Sequence, residues 1–227
     1  MTALWLSRIR LRQAPSVAAL AQLLVPEETG QQAAAAHRLI WALFSDGPDR
    51  RRDFLWRQDS PGQFLALSPR PPNPLHDIFE IESKDFAPAL AAGDRLRFRL
   101  HANPVVAQPQ GRGQRGKRQD VVMHALHPTP KGQRASVRLE VAQDAGRGWL
   151  TRQGAAHGFR PLGEVAVDGY DTIRIGRSPK PPMQFGVLDF EGVLEVTDPA
   201  AFLPALTAGF GRARAFGCGL MLIRRAA

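Results

Sequence analysis

A chain of 227 residues that is 44% apolar and 22% charged can bury one large core or two small ones, and its composition is that of a globular protein rather than a disordered one. Thirty Lys and Arg against twenty-one Asp and Glu leave a net charge of +9, which makes nucleic acid the first partner to consider. A single cysteine, Cys218, excludes a disulfide framework and a cysteine-rich zinc site, and no apolar run reaches the length of a membrane span. Its opening residues carry too short an apolar run for a signal peptide, so a cytoplasmic, reducing location and no membrane partner are expected. Only four of the basic residues are lysine (Lys84, Lys117, Lys131, Lys180). A GC-rich genome accounts for part of that bias. Arginine's planar fork also suits phosphates and base edges better than an ammonium does.

In chain order, Leu4 to Leu11 alternates as a first strand. Thr29 followed by Gln32 is a capping-box pattern, and Ala33 to Ala36 favour a helix. Ala36, Ile40, Leu43 and Phe44 form one stripe on it, and Ser45-Asp46-Gly47-Pro48 ends it. His37 falls at the edge of that stripe beside Trp41 and Phe44, and Arg38 turns toward solvent. Phe54 to Arg57 and Gln63 to Leu67 bracket Asp59-Ser60-Pro61-Gly62, a hairpin pattern. Pro69 to Pro74 reads as a stiff loop and Asp77 to Glu82 as a strand, so a second helix in this half is short or lost. Gly93-Asp94 marks a turn between two domains, 1–93 and 94–227.

Arg95 to Pro104 opens the second half as a strand with one basic face. The stretch from Gln108 to Gln119 carries Arg112, Arg115, Lys117 and Arg118 with three glycines and no acid, which predicts a flexible basic loop that meets the partner. His124 and His127 make at most two ligands of a metal site, so they read as loop histidines. Gly148 to His157 predicts a short helix ended by Gly158, and Val165–Val167 and Ile173–Ile175 predict short strands. A basic loop, Arg177-Ser178-Pro179-Lys180, precedes the longest strand pattern, Phe185 to Val196. Asp198-Pro199 predicts a helix to Ala208, although Pro204 would sit more easily in the first turn of a helix starting near Phe202. Strand–helix–hairpin–strand thus occurs twice, and the expected fold is α+β, two tandem ferredoxin-like βαββαβ domains.

The C-terminal run Gly209-Phe-Gly-Arg-Ala-Arg-Ala-Phe-Gly-Cys-Gly219 sets four glycines in two G-x-G pairs around Arg212 and Arg214. Two readings stay open. Gly209, Gly211, Gly217 and Gly219 bring bare N–H groups and two arginines to a phosphate backbone, or they form a turn packed against a sheet. The run leads into a strand rather than from a strand into a helix, so it is not a dinucleotide fingerprint.

With these residues in view, the chain resembles the CasE family, the repeat-RNA endoribonuclease of the type I-E CRISPR Cascade complex. The matching pieces are His37-Arg-Leu-Ile-Trp-Ala-Leu-Phe44, Arg52-Asp-Phe-Leu-Trp56, Arg97-Phe-Arg-Leu-His-Ala-Asn-Pro104, Phe190-Glu-Gly-Val-Leu194 and the closing glycine run. They come in the family's order and span nearly the whole length. The resemblance implies two ferredoxin-like domains, binding of a precursor CRISPR RNA repeat hairpin, cleavage at its 3′ base, and other Cascade subunits as partners. It makes His37 catalytic and places the family's basic loop at Arg174, Arg177 and Lys180. Many members carry a tyrosine three residues before the histidine, where this chain has Ala34; its only tyrosine is Tyr170.

RNA cleavage needs no cofactor, because the 2′-OH is an in-line nucleophile once deprotonated and aligned. The protein must supply a proton carrier, cations for the phosphorane and a cleft that holds the geometry. His37 suits the first task, whereas a lone helical histidine is more often a packing or surface residue. Arg38 is better placed for a backbone contact. The alternative is a non-catalytic RNA-binding subunit of the same fold. A metal-dependent nuclease would need a carboxylate cluster that this spacing does not assemble.

Overall fold

The computed structural model describes residues 3–47, 49–108, 116–177 and 179–226. Strand β1 (Trp5–Leu11) leads through two short helices, α1 (Pro15–Ala18) and α2 (Ala21–Leu24), to the long helix α3 (Thr29–Phe44). The hairpin β2 (Leu55–Ser60) and β3 (Gln63–Ser68) and the strand β4 (Phe79–Asp85) complete an antiparallel sheet in the order β2-β3-β1-β4. This is ferredoxin-like strand order without the second helix. In its place the proline loop caps α3. Asn73 N–H donates to Leu43 O at 2.7 Å, and the Arg70 guanidinium donates to Phe44 O. Those carbonyls, orphaned at any helix end, are satisfied here by the loop that replaced a helix.

The second sheet begins with β5 (Arg95–Ala102), whose alternation buries Leu96, Phe98 and Leu100 and turns the arginines outward. A two-stranded ribbon, β6 (Val105–Gln108) and β7 (Lys117–Asp120), precedes the short helix α4 (Val121–Ala125), capped by the Asp120 carboxylate. Helix α5 (Arg134–His157) is far longer than the Gly148–His157 segment expected. Its outer face is so polar that the apolar spacing faded, yet Ala142, Gly146, Trp149, Leu150 and Gly154 are buried. Gly158 ends it in the left-handed region, as the sequence predicts. The strands β8 (Phe159–Arg177) and β9 (Lys180–Val196) form one long hairpin rather than short separate strands, with register shifts that absorb Gly163 and Gly169. Helix α6 (Pro199–Ala208) and β10 (Met221–Arg225) close the sheet in the order β10-β5-β9-β8. Pro204 is tolerated inside α6 because it faces solvent, where water can serve the freed carbonyl.

The expected capping box on α3 does not form. Glu28 is the cap residue, Thr29 is already helical, and no side chain caps the first turn. Each sheet has its own core. Ile9, Ile40, Phe44, Trp56 and Phe64 fill the first, and Phe98, Trp149, Phe190 and Phe202 fill the second. Burying side chains of this size stabilises the fold by roughly 1.5–3 kcal/mol each. A third cluster joins the units: Ile173, Ile175, Val187 and Cys218 pack against Ala33, Ala34 and Phe216. The approach is close, since a Cβ on Gly30 of α3 would lie 2.0 Å from the Arg174 carbonyl. Burial, and then the charge of Asp189, push the Cys218 thiol up to about 12, so it packs as an apolar group. Among the described residues no helix is long and apolar enough to cross a membrane.

Candidate active site

His37 sits where α3 meets the glycine-rich segment of the other unit. Its neighbours Ala35, Ala36 and Ile40 are buried, His37 itself is half-buried, and Arg38 is exposed. The His37 Nδ1 lies 2.8 Å from the carbonyl oxygen of Ala215, and Trp56 Nε1 donates to the same oxygen at 3.2 Å. A carbonyl only accepts, so Nδ1 donates in this bond and Nε2 is left outside it. The ring is flanked by Trp41 at 6.0 Å and Phe216 at 5.1 Å between centroids. The sequence places Trp41 there; Phe216 stands where Phe44 was expected. Two features separated by almost the whole chain thus make one site.

The glycine run is shaped to reach α3. Beyond α6, Gly209, Gly211, Gly217 and Gly219 all take positive φ, and Ala213 is in the left-handed region without being glycine. At Gly219 (φ +94°) a Cβ would lie 2.8 Å from the Phe210 carbonyl, so only glycine fits. The run closes on itself through Phe210 N–H to Gly219 O at 3.0 Å, and Asn103 O accepts from Arg212 N–H at 3.0 Å. Gly209, Gly217 and Gly219 are buried, and the N–H groups of Gly209 and Gly219 already donate to Ala205 O and His101 O. An open anion cradle of bare N–H groups therefore does not form at these three. The packed turn, the second of the two readings, describes them, while Gly211, Arg212 and Arg214 stay at least partly accessible.

Arginines stand on the elements that meet here. A hollow of about 440 Å³ beside α3 is lined by Ala34, Arg38 and Arg174, with Glu28 at its edge. Arg212 and Arg214 belong to the glycine-rich segment itself, and Arg52 lies just before β2. Among the described residues no carboxylate lies within ion-pair distance of any of these five arginines. Tyr170 does not substitute for the tyrosine absent at Ala34. Its hydroxyl donates to Asp120 Oδ1 at 3.2 Å, and burial followed by the Asp120 charge raises its pKa far above the ordinary phenol value.

Other expected residues lie elsewhere. Lys117 and Arg118 stand on β7, paired with Gln108 and Ala107, so the end of the expected flexible loop is a strand. Arg112 and Arg115 lie outside the described residues, as do the side chains of Arg177 and Lys180, which pair at the tip of the β8–β9 hairpin. His124 belongs to α4 and contacts Gln108 Nε2 at 2.9 Å. Among the described residues no group of three potential metal ligands exists, so no metal set forms around it.

The sequence did not reveal a polar cleft of about 400 Å³ behind Phe216, lined by Gln32, Trp56, Arg57, His101 and Asp189. His101 Nδ1 lies 3.0 Å from Asp189 Oδ1. Burial pushes the Asp189 carboxyl up, but the His101 hydrogen bond and the charges of His101, Arg57 and Arg99 together hold it below the usual range. The two residues are direct partners across β5 and β9, a register that no spacing along the chain announces.

Comparison with known proteins places this geometry. The family model described as CRISPR associated protein matches residues 4–225. The chain is 26% identical over 209 residues to the CRISPR system Cascade subunit CasE of Escherichia coli, covering 89% of this chain and 96% of that protein. It is 31% identical over 150 residues to the CRISPR-associated endoribonuclease Cse3 of Thermus thermophilus, covering 62% and 60% of the two chains. The structure of Thermus thermophilus Cse3 bound to an RNA representing a pre-cleavage complex superposes with a TM-score of 0.68 at 25% identity, over 98% of this chain and 99% of that one. The chain is a member of this CRISPR-associated protein family, in its type I-E CasE branch.

Proposed function

We propose that this protein is an endoribonuclease that cleaves precursor CRISPR RNA at the 3′ base of the repeat hairpin and keeps the product as a subunit of Cascade. One observation carries the reading: His37 is held through Nδ1 by the Ala215 carbonyl, which leaves Nε2 to exchange a proton with the RNA. In the reaction the 2′-oxygen attacks the adjacent phosphorus and the P–O5′ bond breaks. The 2′-proton leaves as the nucleophile forms, a proton ends on O5′, and the products are a 2′,3′-cyclic phosphate and a 5′-hydroxyl. Neutral His37 takes the first proton or its imidazolium gives the second, either being the work of a positioned acid–base group. Arg38, Arg174, Arg212 and Arg214, with Lys117 and Arg118 on the ribbon, hold the phosphate backbone, together with Arg112, Arg115, Arg177 and Lys180. Gly209, Gly211, Gly217 and Gly219 shape the segment that orients His37, and the unit boundary falls near Gly93. A protein with one buried thiol suits the reducing cytoplasm where such transcripts are made.

Labelled repeat RNA incubated with the protein in excess EDTA tests this. Cutting that persists in EDTA and stops with a 2′-deoxy residue upstream of the cut is expected. Cutting that requires added metal overturns the mechanism. Ala34, lining an open hollow where many family members place a tyrosine, favours one rival: an RNA-binding subunit without chemistry. Tight binding with no cutting under any condition would select it.

A further inference from the structure

The cleft behind Phe216 draws its lining from both units, yet the reaction derived above makes no use of it. It adjoins the histidine. Ala33, in its wall, precedes His37 by one turn on the same face of α3. Phe216 also lines it, with its ring centroid 5.1 Å from that of His37. Trp56, a third wall residue, donates to the Ala215 carbonyl that holds His37. Arg57 is the buried polar group of the cleft, its side chain only 6% exposed. Its Nε lies 3.0 Å from Asp59 Oδ1 but outside hydrogen-bond geometry, and Nη1 has no hydrogen-bond partner among the described residues. A buried donor without an acceptor destabilises the free protein, and a ligand acceptor entering the cleft meets it.

The lining decides what kind of ligand fits. Each cation of the cleft has an acid beside it: Arg57 has Asp59, Arg99 has Glu191 at 3.5 Å, and His101 has Asp189 at 3.0 Å. A phosphate therefore finds no surplus of positive charge there. Carboxylates that accept, together with a guanidinium that donates, suit a neutral ligand carrying both kinds of group on its edge. The rings of Trp56 and Phe216 suit a flat one. The volume, about 400 Å³, falls within the range of small-ligand pockets, about 300–1,000 Å³. A nucleobase is neutral, flat and edged with donors and acceptors, and unpaired bases of RNA are read by stacking and edge contacts. Resting on the endoribonuclease reading above, we propose that this cleft takes the base of the first unpaired nucleotide 3′ of the cut, with Arg57 donating to its edge. At the 3′ base of the hairpin the nucleotide upstream of the cut is paired in the stem. The downstream base is free to turn out of the helix, while its 5′ phosphate, the scissile one, stays at His37.

The test is binding of repeat RNA made non-cleavable by a 2′-deoxy residue upstream of the cut, with an abasic site placed in turn at each unpaired position 3′ of the hairpin. An abasic site keeps every phosphate, so only the base is read. Wild type is expected to bind the RNA abasic at the first unpaired position roughly 5–150-fold more weakly than the intact RNA, the range for one stacked base. Abasic sites further along should change little. Arg57→Gln removes the guanidinium and should shrink that ratio roughly fivefold, the size of one lost hydrogen bond. Gln32→Trp puts a large ring into the cleft and should bring the ratio close to one; it carries the test should Arg57→Gln fail to fold. Equal binding of intact and abasic RNA by wild type, or a ratio that Gln32→Trp leaves untouched, overturns the proposal. Cleavage of the corresponding all-ribose RNA is followed alongside. A wild type that cuts but ignores the abasic site overturns the base pocket alone. One that leaves the RNA whole yet keeps the ratio overturns the nuclease reading and leaves the base in the cleft.

Discussion

The first sheet, ordered β2-β3-β1-β4, and the second, ordered β10-β5-β9-β8, share one plan and complete it differently. The second unit keeps both crossover helices, and α6 delivers the chain into the glycine run that reaches His37. In the first unit the Pro69–Pro74 loop replaces the second helix and ties down the C-terminal end of α3. One unit has given up a helix and presents the histidine. The other has kept its helix and supplies the carbonyl that orients that histidine. The site belongs to neither: Nδ1 of His37 and the oxygen of Ala215 come from residues 178 positions apart. The division of labour explains why buried glycines can matter to chemistry without touching a substrate.

His37→Ala breaks the first unit's share alone. It should cut single-turnover cleavage by roughly 10²–10⁴-fold while repeat binding holds, because one neutral ring adds little beside the arginines. Loss of binding together with cleavage would make the histidine a shaping residue.

Gly219→Val breaks the second unit's share. With φ at +94° and a Cβ 2.8 Å from Phe210 O, backbone strain and overpacking together should cost roughly 2–6 kcal/mol. Gly163 also has a positive φ, yet nothing lies within 4 Å of its Cβ position, so Gly163→Ala should cost only about 1 kcal/mol. Urea melts of the two variants separate steric closure from backbone strain. Equal losses would mean that the tight packing of the glycine run contributes nothing.

On the ribbon, Lys117→Ala with Arg118→Ala should leave cleavage at saturating protein unchanged and weaken all RNAs alike. The log–log salt slope of binding should fall by about 0.7–0.9 for each phosphate that is no longer neutralised. An unchanged slope would assign the ribbon to a protein partner.

The smallest effect concerns the cleft between the units. Because Asp189 is held below the usual carboxylate range, its contribution to stability is present above the unfolded-state value near 3.9. It is lost as pH falls through the lower folded value. Asp189→Asn should therefore be less stable at neutral pH and lose less stability on acidification through that window, read by thermal melts between about pH 5 and pH 2. A parallel pH profile for both proteins would show that the His101 contact does not couple β5 to β9.

The residues themselves determined much of this. Alternation in β1 and β5, the stripe on α3, Asp198-Pro199 before α6 and Gly158 after α5 are local patterns whose causes act within a few residues, so they survive any tertiary setting. The charge surplus and the placing of His37 at a stripe edge were legible for the same reason. Helix α5 was legible only at its end, because its apolar face is narrow and broken by glycines that fit against Val167 and Phe159. Pairing decided the rest. The register of β5 on β9 brings His101 to Asp189, the closure of the glycine run on itself buries Gly217 and Gly219, and the packing of α3 on β8 sets Ala215 against His37. Each depends on which surfaces meet across long loops, and pairings closed over such separations leave no periodic trace along the chain.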